Sequence, residues 1–143
     1  MKNQDLEKRK KLVKAWIDKG KDDLLFAKAA FKETQFYDHI CCLCQQAVEK
    51  YLKALIIILK GEIRKKDKIH NLNILAERVK PLVDLSKFEK ELRMLSQAYI
   101  PARYPDEICF KAFTKKEAKE AIEMAQKIID FIERKILEDY LKK

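Results

Sequence analysis

Polar residues at helical spacing in the segment 45–55 are the first candidates for chemistry. Gln46, Glu49 and Lys53 recur at i, i+3 and i+7, which places an amide, a carboxylate and an amine on one face of a helix. Glu49 also precedes Lys53 by four residues, the spacing of a helical ion pair. Two interpretations stay open. The face binds a polar ligand or a facing subunit, or it is a solvated surface with one weak ion pair.

Arg103 and Tyr104 lie between two prolines in the segment 99–113, which lacks helical periodicity and is predicted to be a loop. Proline fixes φ and restricts the residue before it, so this loop has few conformations to lose on binding. An arginine can hold a phosphate and a tyrosine can stack on a base, a pairing that suits a nucleotide or a single strand. The alternative is structural: Arg103 pairs with Glu49 or Asp106, and Tyr104 closes one end of the fold.

Cys41 and Cys44 form a CxxC pattern near the start of a predicted helix, where exposed backbone amides can stabilise a thiolate. Cys44, however, falls on the apolar stripe of that helix, and free cysteine is commonly a small core residue. The pattern therefore favours packing over redox chemistry or metal binding. With two histidines in the chain, a histidine-rich zinc site is not expected either, and no metal or cofactor is predicted.

The composition excludes several classes of protein. The chain has 143 residues with 48% hydrophobic residues, but only 2 Gly and 3 Pro, too few for the turns of an all-β fold or for a glycine-rich nucleotide loop. No apolar stretch approaches the roughly 18 residues of a membrane span, and the N-terminus is too polar for a signal peptide. We expect no membrane association and a cytoplasmic protein with reduced thiols.

The net charge of +9 favours a polyanionic partner. The excess is uneven: residues 2–14 hold six positive and two negative side chains, and residues 60–68 hold five positive and two negative. Either run could bind a polyanion or could be an ordinary solvated surface.

Apolar residues recur at helical spacing in every predicted element, and no segment shows the alternation of a half-buried strand. The sequence therefore predicts an all-α protein, an up-and-down antiparallel bundle of about five helices, three long and two short, in a single domain over residues 1–143. The predicted helices span residues 4–33, 37–60, 71–80, 86 to just before Pro101, and 114–140.

Three local signals define helix ends. Gly61 is placed to end the second long helix, because glycine readily adopts the left-handed conformation found at helix C-termini. Ser86 with Glu89, and Thr114 with Glu117, match the capping-box pattern that opens a helix.

Several segments together resemble the HEPN family, the higher eukaryotes and prokaryotes nucleotide-binding domain. They are Trp16 with residues 23–24, the glutamine-containing helix block 41–55, His-Asn-Leu at 70–72, and Tyr-Ile-Pro-Ala-Arg-Tyr-Pro-Asp at 99–106. The resemblance covers nearly the whole chain. It implies a helical up-and-down bundle, commonly a dimer, often encoded beside a minimal nucleotidyltransferase. Some family members are metal-independent ribonuclease toxins, and others bind nucleotides or RNA without cleaving them.

The resemblance also raises a catalytic possibility for Arg64 and His70. The family's nucleases carry an arginine and a histidine separated by four to six residues and paired across a dimer cleft, and five residues separate Arg64 from His70. In that role His70 would be the general acid or base, and Arg64 or Arg103 would stabilise the charge on phosphorus. This pair, however, lies in a connector instead of around a later helix. His70 also matches the histidine that can cap the next helix in the non-nuclease branch.

We therefore expect a HEPN-like protein that binds a nucleotide or RNA and works with a minimal nucleotidyltransferase. A toxin-type, metal-independent endoribonuclease and a non-catalytic interaction module are the alternatives. A homodimer is expected, with apolar residues off the main stripes, such as Leu25, Leu43 and Ile57, available to a partner. The predicted ligand-binding residues are Gln46, Glu49, Lys53, Tyr99, Arg103, Tyr104 and Asp106.

Overall fold

The apolar periodicity produces helices throughout the computed structural model, which describes residues 3–98 and 112–142. No strand occurs within these ranges. The all-helical bundle is thus confirmed, and its long helices begin and end close to the predicted residues. The helices are α1 (Asn3–Glu33), α2 (Tyr37–Lys60), α3 (Leu72–Arg78), α4 (Glu89–Ser96), α5 (Lys115–Ile132) and α6 (Glu138–Lys142).

The first two helices run antiparallel and approach each other closely. Arg9, near the start of α1, donates to the carbonyl of Ile58 near the end of α2 at 3.3 Å. Midway along the pair, Gly20 packs against Tyr51 and Ala47, and a Cβ at this glycine would lie 2.8 Å from the tyrosine ring. The missing side chain of Gly20 is therefore what allows the two backbones to approach.

The centre of the bundle is α2, because its second half is covered on every side. Residues 51–57 are all buried, and Ile58 and Leu59 are half-buried. This burial encloses the apolar end of the helix. It also makes one prediction wrong: Ile57 is 0% exposed, so it packs inside the bundle and is not available to a second subunit. Leu25, in contrast, is 63% exposed.

Two of the three predicted helix ends are confirmed. Gly61 has a φ of 87° and its N–H donates to the carbonyl of Ile57 at 2.7 Å, the left-handed ending of α2. Thr114 and Glu117 form the capping box of α5, with side-chain to backbone distances of 3.1 and 3.0 Å.

The capping box predicted at Ser86 and Glu89 is wrong. A short 3-10 turn, Ser86–Phe88, precedes α4, and no side chain caps that turn or the helix after it. The backbone N–H of Ser86 donates instead to the Asp84 carboxylate at 2.9 Å. An aspartate two residues earlier offers a stronger acceptor, so the serine lies inside a local turn and does not open the helix.

The connector between α2 and α3, residues 61–71, ends at the residue that caps α3. That residue is Asn71, and not the histidine suggested by the family resemblance. The side chain of Asn71 accepts from the backbone N–H groups of Asn73 and Ile74, at 2.9 and 3.2 Å, and opens α3. His70, the other candidate cap, lies one residue earlier. Asparagine fits this position because its short side-chain oxygen reaches the free amides of the first turn.

The last predicted helix, 114–140, is interrupted by one π-helical turn, Glu133–Leu137, between α5 and α6. The Tyr51 hydroxyl donates to Glu133 Oε1 at 2.7 Å where this turn begins. The wider turn carries no signature in apolar periodicity. Among the described residues, no helix combines the length and the apolar character needed to cross a membrane.

We predict that Gly20→Ala destabilises the protein. Alanine is the better helix former by about 1 kcal/mol, but its Cβ would collide with the Tyr51 ring, and overpacking of this kind costs about 1–3 kcal/mol. Denaturant unfolding followed by circular dichroism should show a lower midpoint. Lys19→Ala, at the exposed position beside it, is the control and should change stability little. An unchanged or higher midpoint for Gly20→Ala would contradict the close approach.

Candidate functional site

Three polar side chains of α2 are buried at i, i+4 and i+8: Gln45, Glu49 and Lys53. Their exposed fractions are 0%, 8% and 6%. Since α2 lies at the centre of the bundle, these groups are within reach of other elements, and His70 of the connector meets them. We call Gln45, Glu49, Lys53 and His70 the polar centre.

The Glu49 carboxylate is the hub of the polar centre. Its Oε2 accepts a hydrogen bond from Lys53 Nζ at 2.8 Å. Its Oε1 accepts from Gln45 Nε2 at 2.9 Å and lies 3.0 Å from His70 Nδ1. Gln45 Nε2 also donates to the backbone carbonyl of His70 at 2.9 Å. His70 is thus held at both its ring and its backbone, while its side chain stays 48% exposed.

These contacts keep Glu49 ionised although it is buried. Burial raises the pKa of a carboxyl group, but the hydrogen bonds from Lys53, Gln45 and His70 outweigh this effect and leave the pKa of Glu49 below its ordinary value. The Lys53 ammonium lies 5.9 Å from the centre of the Trp16 ring, which adds a cation–π contact from α1. The buried pair is therefore a charged one with several partners.

One acceptor of the polar centre has no partner among the described residues. Gln45 Oε1 is buried and accepts no hydrogen bond there, although the amide nitrogen of the same side chain donates twice. A buried carbonyl oxygen without a donor costs free energy. A water molecule or a donor on a ligand would satisfy it.

The glutamine of the polar centre is not the one that the sequence pattern selected. Gln46 is half-buried and its amide lies 3.6 Å from Cys42 Sγ, whereas Gln45 bonds Glu49. The sequence pattern that indicates the polar centre is the i, i+4, i+8 spacing of Gln45, Glu49 and Lys53, which places these three polar residues on one face of α2. The alternative of a solvated face is also wrong, because Glu49 and Lys53 are buried.

Arg64 and His70 contact different carboxylates. Arg64 is exposed, and its Nε lies 3.6 Å from Glu62 Oε1. His70 contacts Glu49 on α2. The structure therefore joins the histidine of the predicted catalytic pair to a buried carboxylate of the bundle, and the arginine to a neighbouring exposed one.

The cysteines of the CxxC pattern pack in the core. Cys41 and Cys44 are 2% and 0% exposed. Burial, reinforced by nearby carboxylates, raises the pKa of the Cys41 thiol to about 12, and burial raises the pKa of Cys44 as well. Thiols of this kind are inert at neutral pH. The described residues also contain no cluster of three or more histidine, cysteine or acidic side chains that could hold a metal ion.

The fold brings the two basic runs of the sequence to the same end of the bundle. Because α1 and α2 are antiparallel, the start of α1 lies beside the end of α2, where Arg9 bonds Ile58 and abuts Gly61. We call the exposed cations of α1 and the connector at this end the basic end. They are Lys8, Lys11, Arg64, Lys65, Lys66 and Lys68.

The remaining predicted ligand-binding residues lie outside the described ranges. They are Tyr99, Arg103, Tyr104 and Asp106. The proposed pairing of Arg103 with Glu49 falls there too, so both interpretations of this loop remain predictions from the sequence.

Comparisons with known proteins agree with this architecture. A family model described as HEPN domain matches residues 13–135. Among solved structures, the chain is similar to the crystal structure of TT1696 from Thermus thermophilus, with 28% sequence identity and a TM-score of 0.74. That alignment covers 87% of this chain and 98% of the other. No curated protein matches the chain.

We predict that Glu49→Gln lowers stability at neutral pH and flattens its acid dependence. The pKa of Glu49 is lowered in the folded state from 4.5. Its stabilisation is therefore present above that pH and is lost as pH falls through the folded pKa. At pH 7 the substitution leaves Lys53 buried without a counter-charge, a loss of about 3–5 kcal/mol.

Free energies of unfolding measured from pH 7 to pH 3 test this prediction. Glu123→Gln, at an exposed position on α5, is the matched control and should follow the wild type. The double variant Glu49→Gln with Lys53→Met removes both charges and should regain part of the stability. Equal stability of Glu49→Gln and the wild type at pH 7 would show that the pair is not coupled.

Proposed function

The chain belongs to the HEPN domain family, and from this premise we propose that it binds RNA or nucleotides through the basic end of its bundle. HEPN domains form a nucleotide- and RNA-related superfamily. The observation that supports the proposal for this chain is the contact of Arg9 with Ile58 and Gly61. It brings two basic runs, separated by more than forty residues, to the same end of the bundle.

The chemistry of this surface suits a phosphate backbone. Lysine and arginine side chains neutralise phosphates and release condensed counterions, which provides affinity without base recognition. Exposed cations on a helix and on a connector held at both ends can contact successive phosphates of one strand. In the same proposal, Arg103 holds a further phosphate and Tyr104 stacks on a base, as their residue types allow.

A specific contact supports a second candidate function, metal-independent RNA cleavage. His70 Nδ1 lies 3.0 Å from the Glu49 carboxylate, and a carboxylate that accepts an Nδ1–H fixes the tautomer whose other nitrogen can take up a proton. His70 also belongs to the connector that carries four cations of the basic end. In this alternative His70 is the general acid or base, and Arg64 stabilises charge on the phosphate.

Two partners complete the proposal. HEPN domains often dimerise, and this bundle leaves Leu25 and Phe26 on α1 63% and 66% exposed, which gives a second copy an apolar surface to cover. A minimal nucleotidyltransferase is the proposed working partner. A non-catalytic interaction module would use the bundle surface without binding nucleic acid, so RNA binding distinguishes it from the main proposal.

We predict that the protein binds single-stranded RNA with a steep salt dependence centred on the connector. Fluorescence anisotropy with a labelled oligouridine should show weaker binding as salt rises. Replacing Lys65 and Lys66 with Gln should weaken binding and make the slope of log affinity against log salt shallower by up to about 1.4, since each neutralised phosphate on a single strand contributes about 0.7.

The matched control replaces Lys116 and Lys119, two exposed lysines of α5, with Gln and removes the same charge elsewhere. It should bind nearly as the wild type does. An equal loss of RNA affinity in both double variants would show that net charge, and not the connector, governs binding. Absence of binding even at low salt would leave the interaction module as the better function.

We further predict that the purified protein binds RNA without cutting it. Arg103→Ala should weaken affinity by about 1.5–3 kcal/mol through loss of a charged hydrogen bond. His70→Ala should leave binding nearly unchanged, because Gln45 still bonds the backbone carbonyl at position 70 and the cations of the basic end are untouched. Gel analysis of RNA incubated with chelator gives the decisive readout. Cleavage that disappears in His70→Ala and persists in His39→Ala would establish the endoribonuclease instead.

A further inference from the structure

The connector between α2 and α3 turns three side chains inward and exposes most of the others. Ile63 and Ile69 pack against the core, and Asp67 is fully buried between them. The residues around Asp67 are exposed cations. They are Arg64, Lys65, Lys66 and Lys68. A buried acid in the middle of a cationic loop is unexpected from its composition and requires a physical reason.

Asp67 is surrounded by donors. Its Oδ2 accepts the backbone N–H of Arg64 at 3.1 Å, and its Oδ1 accepts from Arg78 Nη1 at 3.0 Å. Lys60 Nζ lies 3.7 Å from the same oxygen. Arg78 also donates to the backbone carbonyl of Lys66. One carboxylate thus links the end of α2, the turn of the connector and α3.

The buried Asp67 is ionised. Burial raises its pKa, but the Arg64 amide and the cations Lys60 and Arg78 outweigh that effect, so the pKa lies below its ordinary value. A neutral asparagine could accept the same backbone N–H. Only a charged group also compensates the positive charges of Lys60 and Arg78. The negative charge of Asp67 therefore does more than accept the hydrogen bond that closes the turn at Arg64.

This arrangement separates the charges of the connector. Residues 60–68 contain two acids, and one of them, Asp67, is turned inward against Lys60 and Arg78. The outward surface keeps its four cations and loses a charge that would repel phosphate. The backbone that carries these cations is also held in one conformation, which reduces the entropy lost when a ligand binds.

We propose that Asp67 is a positioning residue that holds the connector as a preformed phosphate-binding loop for the backbone of single-stranded RNA. The inference rests on the proposed function, RNA binding at the basic end, and adds the device that shapes the surface. Asp67 itself touches no RNA. It acts through Arg64, Lys65, Lys66 and Lys68.

A surface governed by net charge and a loop positioned by Asp67 predict opposite changes in RNA affinity for Asp67→Asn. The substitution removes a negative charge, so a surface governed by net charge alone would bind RNA more tightly. A loop that depends on Asp67 for its shape would bind more weakly despite the higher positive charge. Glu62→Gln is the matched control, because it removes an exposed acid from the same connector and loses a contact with the Arg64 side chain, but it leaves the hydrogen bonds of Asp67 in place.

The experiment measures the affinity of each variant for a labelled oligouridine at several salt concentrations. We expect Asp67→Asn to weaken binding at least threefold, on the order of the cost of ordering one or two side chains. Its salt slope should become shallower by about 0.7 for each phosphate that the loop no longer neutralises. Glu62→Gln should bind as tightly as the wild type or more tightly.

A second variant protects the test against misfolding. Arg78→Lys keeps the charge but replaces the rigid guanidinium, whose Nη1 bonds both Asp67 and the Lys66 carbonyl, with a flexible ammonium that presents its donors in a different geometry. It should weaken RNA binding at unchanged net charge, with helical circular dichroism like that of the wild type. If Asp67→Asn is not helical, Arg78→Lys decides the question alone.

The outcomes separate the two proposals. If the wild type binds RNA and Asp67→Asn binds it equally or more tightly, the positioning role is overturned and the RNA-binding proposal stands. Wild-type affinity in Arg78→Lys has the same meaning. No binding of the wild-type protein at low salt overturns both proposals.

Discussion

An ionised carboxylate buried on the central helix of the bundle is the constraint on which the rest of the site depends. Glu49 is buried on α2, and a charge at a buried position is tolerated only if donors compensate it. Its own helix supplies two donors, Gln45 and Lys53. The third comes from His70, so the connector must pass at this height of the bundle. The electrostatics of one residue thereby determine the path of a loop far from it in sequence.

Asp67, three residues before His70, is a second buried carboxylate that needs donors from neighbouring elements. Its carboxylate binds the connector to the end of α2 and to α3, as Glu49 binds His70 to the middle of α2. Two buried carboxylates therefore hold a segment without long regular structure at two points. Since Asp67, Ile63 and Ile69 occupy the inward positions, the outward ones hold Arg64, the lysines and a single acid, Glu62, and the exposed surface is mainly basic.

The sequence predicted most of the fold because the signals for helices are local. Apolar periodicity located the long helices, and Gly61 and Thr114 marked ends that depend on backbone geometry within one turn. The site was less accessible, since it depends on contacts between distant segments. Gln45 and Gln46 are adjacent in a helix and differ only in which neighbour each faces. The π-helical turn at Glu133 opposes Tyr51 of α2 and leaves no mark on periodicity.

The polar centre matters more for the position of the His70 ring than for the free energy of unfolding of the bundle. Replacing a buried ion pair with apolar residues of similar volume is often neutral or stabilising, so an apolar α2 would hold the bundle together as well. Such a helix would give Gln45 no carboxylate to bond and would release the ring of His70. The connector would then keep Asp67 and the bond from Gln45 to the His70 carbonyl as anchors, and only the ring of His70 would lose the contact that orients it. Folding alone therefore does not require Glu49, and what the carboxylate adds to the bundle is the orientation of a half-exposed histidine ring.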